Sequence, residues 1–400
     1  MIKLLMILKT NIRGTIWKYY LFTFLHGLLF TSAVLVPFYT EWGGISLFQA
    51  QILQSWFMFW LFILEIPTGA IADYIGRKYS LALGALVVTL GALVYGSIPN
   101  FKIFLIGEFL FSLSGALISG ADEALLYDSL KEAHRQKEAK KIFGRADSFR
   151  LLGVLFSASF GSLLAVKFGL NTTMLFSAIP FFLAALIGLS IKEPQLNKKQ
   201  SESQRYLEIV KKGLSFLKNH RLVKTYAFDA IAVSSAAYFV IWYYQPLLGK
   251  VGVPILYFGL FHSFLVLTEM AVSANFERLE KITGSFQNLI KFSALATAIS
   301  LIMAAIYPSL LTIILLLVFG GGFGLTRMTL ISSHLNKYIP SEQRATILSS
   351  ISMFRRFSLT ILNPVIGAIA DRSLGGALLT VSMIPLLIYF LSPIDRLNRK

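Results

Sequence analysis

The chain has little charge and no cysteine. Only 14% of its 400 residues are charged, whereas 56% are hydrophobic, an apolar share above that of water-soluble domains. Without cysteine there can be no disulfide, thiolate metal site or thiol nucleophile. The few charges lie in short stretches between long apolar runs, which indicates that most of the chain lies in lipid.

Acidic residues are also scarce: the chain has 37 Lys and Arg but only 20 Asp and Glu, which gives a net charge of +17. Nucleic-acid binding would need basic residues next to groove-reading or stacking elements on a soluble face, and none is found. The glycine run 319–324 lacks the Lys-Ser/Thr of a phosphate loop, so close helix packing or a flexible gate is the better reading. Nor is there metal-ligand spacing or a convergent acid-base set. We therefore expect no metal, no cofactor, no nucleic-acid partner and no enzyme.

Twelve runs are long and apolar enough to cross a bilayer, which takes about 20 helical residues. The fold class is therefore an all-α membrane protein. The expected spans are 16–38, 46–71, 79–98, 101–127, 146–168, 171–191, 222–247, 253–275, 286–306, 309–334, 345–369 and 374–392.

The longest gap, 192–221, is a basic polar linker that divides the spans into two sets of six. We expect a cytoplasmic tail or interfacial helix at 1–15, six-helix bundles at 16–191 and 222–392, and a cytoplasmic tail at 393–400. Lys and Arg are concentrated in the segments on the side of both termini, and positively charged loops stay in the cytoplasm. The pattern predicts a multi-pass protein of the cytoplasmic (inner) membrane with both termini inside.

A specific motif lies between the second and third spans. Residues 69–80 read GAIADYIGRKYS after the lead-in EIPT. Gly69 permits close helix contact and Gly76 a tight turn, and the charged residues can form a cluster at the membrane surface.

This stretch resembles the signature loop of the Major Facilitator Superfamily, roughly G-x-x-x-D-x-x-G-R-[KR], at every fixed position. The resemblance implies two six-helix bundles related by a pseudo-two-fold axis. It also implies a conformational latch that holds the outward-facing state, formed by Gly69, Asp73, Gly76 and Arg77 with Asp128 as partner. Arg355 or Arg356 is expected to join it. The sequence departs from the drug-proton antiporters of this family in two places. Glu108 stands where their fourth helix usually has an arginine, and the fifth helix lacks their Gly-Pro motif.

Ionisable residues within spans are costly, about 2.5–3.5 kcal/mol each at a helix centre, so they invite functional explanations. The candidates for a coupling or substrate cavity are His26, Glu108, Asp122, Glu123, Arg150, Asp229, Glu269 and Arg327.

Each candidate has more than one interpretation. Arg150 can form a structural ion pair with Asp122 or Glu123, or these residues can belong to a substrate site. The same two interpretations apply to Glu269 and Arg327. Glu108 lies nearer the outer side and suits reversible protonation, since burial disfavours its charged form. His26 either titrates or simply packs. Glu108, Ser112, Gly115, Ser119 and Asp122 or Glu123 recur at helical spacing, which predicts one cavity-lining face.

The function expected from these features is secondary transport of a small organic solute by alternating access. Proton-coupled export of an amphipathic compound is favoured, and uptake or uniport of a small organic ion is the alternative. The expected partners are the solute, protons and the bilayer, and the expected state is a monomer. A membrane-embedded enzyme or a channel is the remaining class, but neither a catalytic set nor a repeated pore filter is visible.

Overall fold

The computed structural model describes residues 2–194, 215–216, 218–340 and 343–392, apart from the side chains of 2–11, 66, 73 and 345. Within these residues every regular element is helical. Most of the predicted linker and the whole predicted tail 393–400 lie outside the described residues.

Helices α1 to α12 occupy the twelve predicted spans, and three of them are interrupted. Their bounds are α1 (Ile2–His26, continued by Phe30–Val34, Leu35–Pro37 and Phe38–Trp42), α2 (Leu47–Ile75), α3 (Arg77–Ser97), α4 (Phe101–Ser119 and Asp122–Glu132), α5 (Ala139–Phe168), α6 (Leu170–Ser190), α7 (Arg221–Lys250), α8 (Phe258–Ala274), α9 (Phe286–Ile306), α10 (Leu310–Leu315, Leu316–Leu325 and Arg327–Leu335), α11 (Arg344–Arg372) and α12 (Leu374–Leu391).

Eleven of these segments in the described part of the chain are apolar and long enough to cross a membrane. The other is α11, whose 29 residues are sufficient in length but contain Arg355 and Arg356 in the middle. The predicted all-helical membrane architecture is confirmed. Below, the inner end of a helix is the end that the charge distribution predicts to be cytoplasmic.

The chain forms two compact units, and α2 contributes to both. The first unit contains most of the N-terminal half, while Ile45–Ser55 clusters with the C-terminal half. The sequence placed this segment in the bundle 16–191. Its hydrogen bonds explain the difference: Ser55 Oγ donates to the carbonyl of Thr360 at 2.7 Å, and the Phe48 N–H donates to Asp371 Oδ1 at 2.9 Å.

The first predicted span is not one helix. Residues 2–15, expected as a tail or interfacial segment, form the first turns of α1, and the helix then stops at His26. A short gap at 27–29 precedes the 3₁₀ turn Phe30–Val34. Neighbouring side chains satisfy the interrupted backbone, because the Phe30 N–H donates to Ser177 Oγ at 2.9 Å. Thr31 and Thr173 hydroxyls bond at 3.0 Å beside it.

Two glycines of α5 allow the backbones of α1 and α5 to come into direct contact. A Cβ at Gly153 would collide with the carbonyl oxygen of Phe24, and one at Gly161 would collide with that of Phe30. Ser157 lies between them and is fully buried. Small residues at four-residue spacing are a standard means of close helix contact in membranes. The interruption of α1 therefore lies against this small-residue stripe.

We predict that Gly161→Ala destabilises the protein by about 1–3 kcal/mol, because the added methyl overpacks the contact with Phe30. Thermal unfolding of purified protein in detergent measures this as a lower Tm. Gly144→Ala is the matched control, since it lies on the same helix and nothing approaches its Cβ within 4 Å. Equal Tm values for the two variants would contradict the packing role.

Candidate functional site

The signature loop is a tight turn with an ion pair beside it. Gly76 has φ +105°, a conformation that L side chains rarely adopt, so glycine is required between α2 and α3. Arg77 begins α3 and forms a salt bridge with Asp128 of α4. Gly69 approaches the interruption of α4, because a Cβ at Gly120 would lie 3.5 Å from its Cα. The predicted pairing of Arg77 with Asp128 is present in the structure, whereas the side chain of Asp73 lies outside the described residues.

Glu193, which the sequence reasoning did not select, completes this cluster. Its carboxylate accepts the backbone N–H groups of Arg77 and Lys78, both at 2.8 Å. These are free donors at the N-terminus of α3, where a negative charge is favoured. The residue follows the sixth span, and nothing in its spacing connects it with the signature loop.

Arg355 and Arg356 do not fit the latch. They lie eleven and twelve residues into α11, roughly 17 Å from its inner end at Arg344, which places them near the middle of the helix. Arg355 Nη2 contacts the carbonyl of Ser234 in α7 at 3.5 Å. A latch at the membrane surface needs side chains at that surface, so we withdraw both arginines from it.

Glu108 is enclosed by aromatic residues in the first unit. It is 4% exposed, and Tyr39 donates its hydroxyl to Glu108 Oε1 at 3.0 Å. The hydroxyls of Tyr39 and Tyr95 bond to each other at 2.9 Å, and the ring of Tyr95 stacks on Phe104. Tyr39 lies in the outer continuation of α1 and Tyr95 near the outer end of α3. The carboxylate thus lies in an apolar enclosure with phenol hydroxyls as hydrogen-bond partners.

The predicted single face of α4 is divided. The helix is interrupted at Gly120 and Ala121. Ser112 is fully buried and donates to the carbonyl of Glu108 at 2.7 Å, whereas Ser119 and Glu123 are exposed. Asp122 Oδ1 accepts the Glu123 N–H at 2.6 Å at the start of the second piece. Only the outer part of the face surrounds the buried carboxylate.

Arg150 pairs within its own helix. Its Nη2 and Nε donate to Asp147 Oδ1 at 2.8 and 3.0 Å, and both side chains are exposed. The expected pair with Asp122 or Glu123 is therefore wrong, because a carboxylate three residues away on the same helix is nearer. His26 stacks on Phe22 and also contacts the ring of Phe181, as a packed residue would.

Arg327 pairs with Asp229, and both are almost completely buried, at 1% and 2% exposure. Nε and Nη2 of Arg327 lie 2.7 and 2.6 Å from Asp229 Oδ1, and Nη1 donates to the carbonyl of Ile290 at 2.6 Å. The sequence left open an ion pair of Arg327 with Glu269 as one of two interpretations, and the structure shows Asp229 as the partner instead. Arg327 starts the last piece of α10, and this position directs its side chain to α7 and α9.

The glycine run of α10 brings that helix close to its neighbours. A Cβ at Gly320 would lie 2.9 Å from the side chain of Val240, and one at Gly324 would lie 2.6 Å from Ala237. Both contacts are with α7, the helix that carries Asp229. The run thus provides close packing, one of the two readings from the sequence.

We predict that Asp229→Asn destabilises the protein by about 3–5 kcal/mol, because it leaves the buried guanidinium of Arg327 without its counter-charge. Thermal unfolding in detergent and the yield of monodisperse protein measure the loss. Asp147→Asn is the control, since it breaks an exposed pair worth about 0–1 kcal/mol. Replacing Asp229 and Arg327 together by Leu should recover part of the stability, and failure of any recovery would contradict the charge argument.

Sequence relatives of the chain are transport proteins. It is 28% identical over 153 residues to the L-fucose-proton symporter of Escherichia coli (strain K12), and 27% identical over 124 residues to the chloroplastic D-xylose-proton symporter-like 3 of Arabidopsis thaliana. These matches cover 37% and 31% of this chain but only 31% and 21% of the two symporters. The uncharacterized MFS-type transporter YxaM of Bacillus subtilis (strain 168) matches 83% of this chain and 84% of its own length at 23% identity.

Solved structures share the fold. The crystal structure of the nucleoside transporter NupG superposes with a TM-score of 0.78 over 96% of this chain and 100% of its own, at 14% identity. A bacterial homologue of the human lysosomal transporter Spinster gives a TM-score of 0.69 over 98% of this chain and 88% of its own, at 15% identity. A family model described as Major Facilitator Superfamily matches residues 19–362. Together with the signature loop, this match shows that the chain belongs to the Major Facilitator Superfamily of membrane transporters.

Proposed function

We propose that this transporter couples solute movement to protons and that Glu108 is the residue that binds the proton. The observation that carries the proposal is the buried carboxylate of Glu108 beside the hydroxyls of Tyr39 and Tyr95. An ionised carboxylate in such an apolar enclosure is costly, whereas a protonated one is neutral and can itself donate a hydrogen bond. The hydroxyls can serve either state, because a phenol both donates and accepts.

The position of Tyr39 suggests how protonation reaches the solute pathway. Tyr39 belongs to the outer continuation of α1, which the gap at 27–29 separates from the inner part of the helix. Discontinuous helices form substrate and ion sites in many secondary transporters. When Glu108 gains a proton, its bond to Tyr39 can reverse direction, so that Tyr39 accepts instead of donating. Protonation thereby changes a contact between α4 and the outer continuation of α1.

Export of an amphipathic organic compound, with a proton moving inward, is the first direction that we propose. Proton symport is a second candidate, and the names of the fucose and xylose relatives favour it. We further propose that the protein works as a monomer in the cytoplasmic membrane with both termini inside, as the charged segments predict.

We predict that Glu108→Gln abolishes solute-driven proton movement but retains solute counterflow, because glutamine imitates the protonated state permanently. Full-length protein in proteoliposomes containing a pH-sensitive dye is given L-fucose, D-xylose, uridine or tetraphenylphosphonium from outside. Acidification of the lumen indicates symport, and alkalinisation indicates antiport. Glu138→Gln, an exposed carboxyl in the connection between α4 and α5 that is not among the coupling candidates, is the matched control.

Two results would count against this coupling. If the Glu108→Gln protein moves protons with solute as the unmodified protein does, another group carries the proton. If accumulation by the unmodified protein persists when a protonophore removes the gradient, transport is not proton-coupled. Loss of counterflow in Glu108→Gln would show that the residue binds solute instead.

A further inference from the structure

A column of polar side chains runs through the second unit between the outer segment of α2, α7 and α11. Its outermost contact joins the Phe48 N–H to Asp371. Further in, Tyr238 donates to Gln54 Oε1 at 3.2 Å, at the level where Ser55 bonds to α11. Arg355 lies at the inner end of the column. Polar groups thus follow one another from the outer end of α11 to its middle.

Several groups in this column have no hydrogen-bond partner among the described residues. Gln51 and Asn363 are 0% exposed, and neither the oxygen nor the nitrogen of either amide is paired. The same holds for the hydroxyls of Ser235 and Tyr243. Each buried unpaired group costs about 1–3 kcal/mol, and native proteins contain few of them. Gln51 and Asn363 lie on two helices that touch, since a Cβ at Gly367 of α11 would meet Gln51 of α2, and we take these unpaired amides as groups that bind a ligand in another step of the cycle.

The packing at this level places Gln51 directly against α11. A Cβ at Gly367 would lie 2.7 Å from Cβ of Gln51, so α2 and α11 touch where the amides are buried. Apolar residues of similar size would pack here without the cost of burying unpaired groups.

Arg355 is the charged member of the column. Its Nε is buried without a partner among the described residues, and its hydrogen bond from Nη2 to the carbonyl of Ser234 is long. No carboxylate among the described residues forms a salt bridge with Arg355, whereas Arg327 of the same unit has its counter-charge in Asp229. The neighbouring Arg356 adds a second positive charge. An uncompensated cation near the middle of a membrane helix is costly and therefore points to an anionic ligand.

We infer that Arg355 binds the carboxylate of a small hydroxylated organic acid, and that the amides of Gln51 and Asn363 bind its hydroxyl groups. A guanidinium pairs with a carboxylate through two parallel N–H donors, and an amide both donates to and accepts from a hydroxyl. The inference rests on the proposed function, because it names the class of solute that the transporter carries. It assigns Arg355 to the solute rather than to the latch.

The test uses three probes that differ at one carbon: D-glucuronate, D-glucuronamide and D-glucose. Thermal shift of the full-length protein in detergent reports binding, and solute counterflow in proteoliposomes reports transport. Glucuronate should raise the Tm and support counterflow at concentrations at least tenfold below those of the two neutral probes. In Arg355→Gln this preference should disappear, while the Tm without ligand stays the same or rises because a partly buried cation without a counter-charge has been removed. Arg372→Gln, an exposed arginine of the same helix, should behave as the unmodified protein.

A second set of probes covers acids of other sizes. Gluconate, malate and lactate are each compared with a neutral alcohol of the same carbon number. If no acid in either set binds better than its neutral counterpart, or if Arg355→Gln retains the preference, the inference is overturned. Asn363→Ala should weaken glucuronate at least tenfold more than lactate, which has a single hydroxyl, and equal losses would remove the amide from the site.

These measurements are independent of the proton assay, because neither thermal shift nor counterflow needs a proton gradient. Glu108→Gln should keep the preference for glucuronate over glucuronamide. Acid binding without proton movement would refute the coupling through Glu108 and leave the solute class standing. Proton movement that occurs only with neutral solutes would support the coupling through Glu108 and refute the proposed solute class.

Discussion

Every break in a membrane helix exposes backbone groups that the hydrocarbon cannot satisfy, and the rest of this structure is arranged around that constraint. The gap in α1 at 27–29 is closed from α5 and α6, where Gly153 and Gly161 let the chain approach and Ser177 accepts the Phe30 N–H. The interruption of α4 meets Gly69 in the same way. Glycine and serine therefore occur where a helix stops, and each break depends on its neighbour.

The same constraint distinguishes the charges that have a counter-charge from those that we propose to be functional. Arg327 has a carboxylate and a carbonyl within hydrogen-bond distance, so its charge is compensated and its role is to join α7, α9 and α10. Arg355 has neither a carboxylate partner among the described residues nor a partner for Nε. Glu108 lies between these cases, with hydroxyls that suit both of its protonation states. The partner that each charge has, rather than its depth alone, indicates its role.

The sequence predicted the features that depend on local order and missed those that depend on helix rotation. Hydropathy located the helices, and the resemblance to the family signature predicted the pairing of Arg77 with Asp128. The partners of Arg150 and Arg327 were wrong, since pairing depends on which face each helix turns to its neighbour. Glu193 was missed because it lies 116 residues from Arg77, whose backbone N–H its carboxylate accepts. The gap in α1 was invisible because residues 27–29 are as apolar as their surroundings.

Helix α2 connects the signature loop with the polar column between α2, α7 and α11. Its inner end forms the turn at Gly76, and its outer segment bonds to α7 and α11 through Gln54 and Ser55. Pro67 lies between them and cannot donate to the carbonyl of residue 63, so the helix lacks one of its hydrogen bonds there. The adjacent Thr68 donates its hydroxyl to the carbonyl of Ala116 in α4. A change in the outer segment would reach the turn at Gly76 only through these residues of α2, and a proline is where a long helix bends most readily.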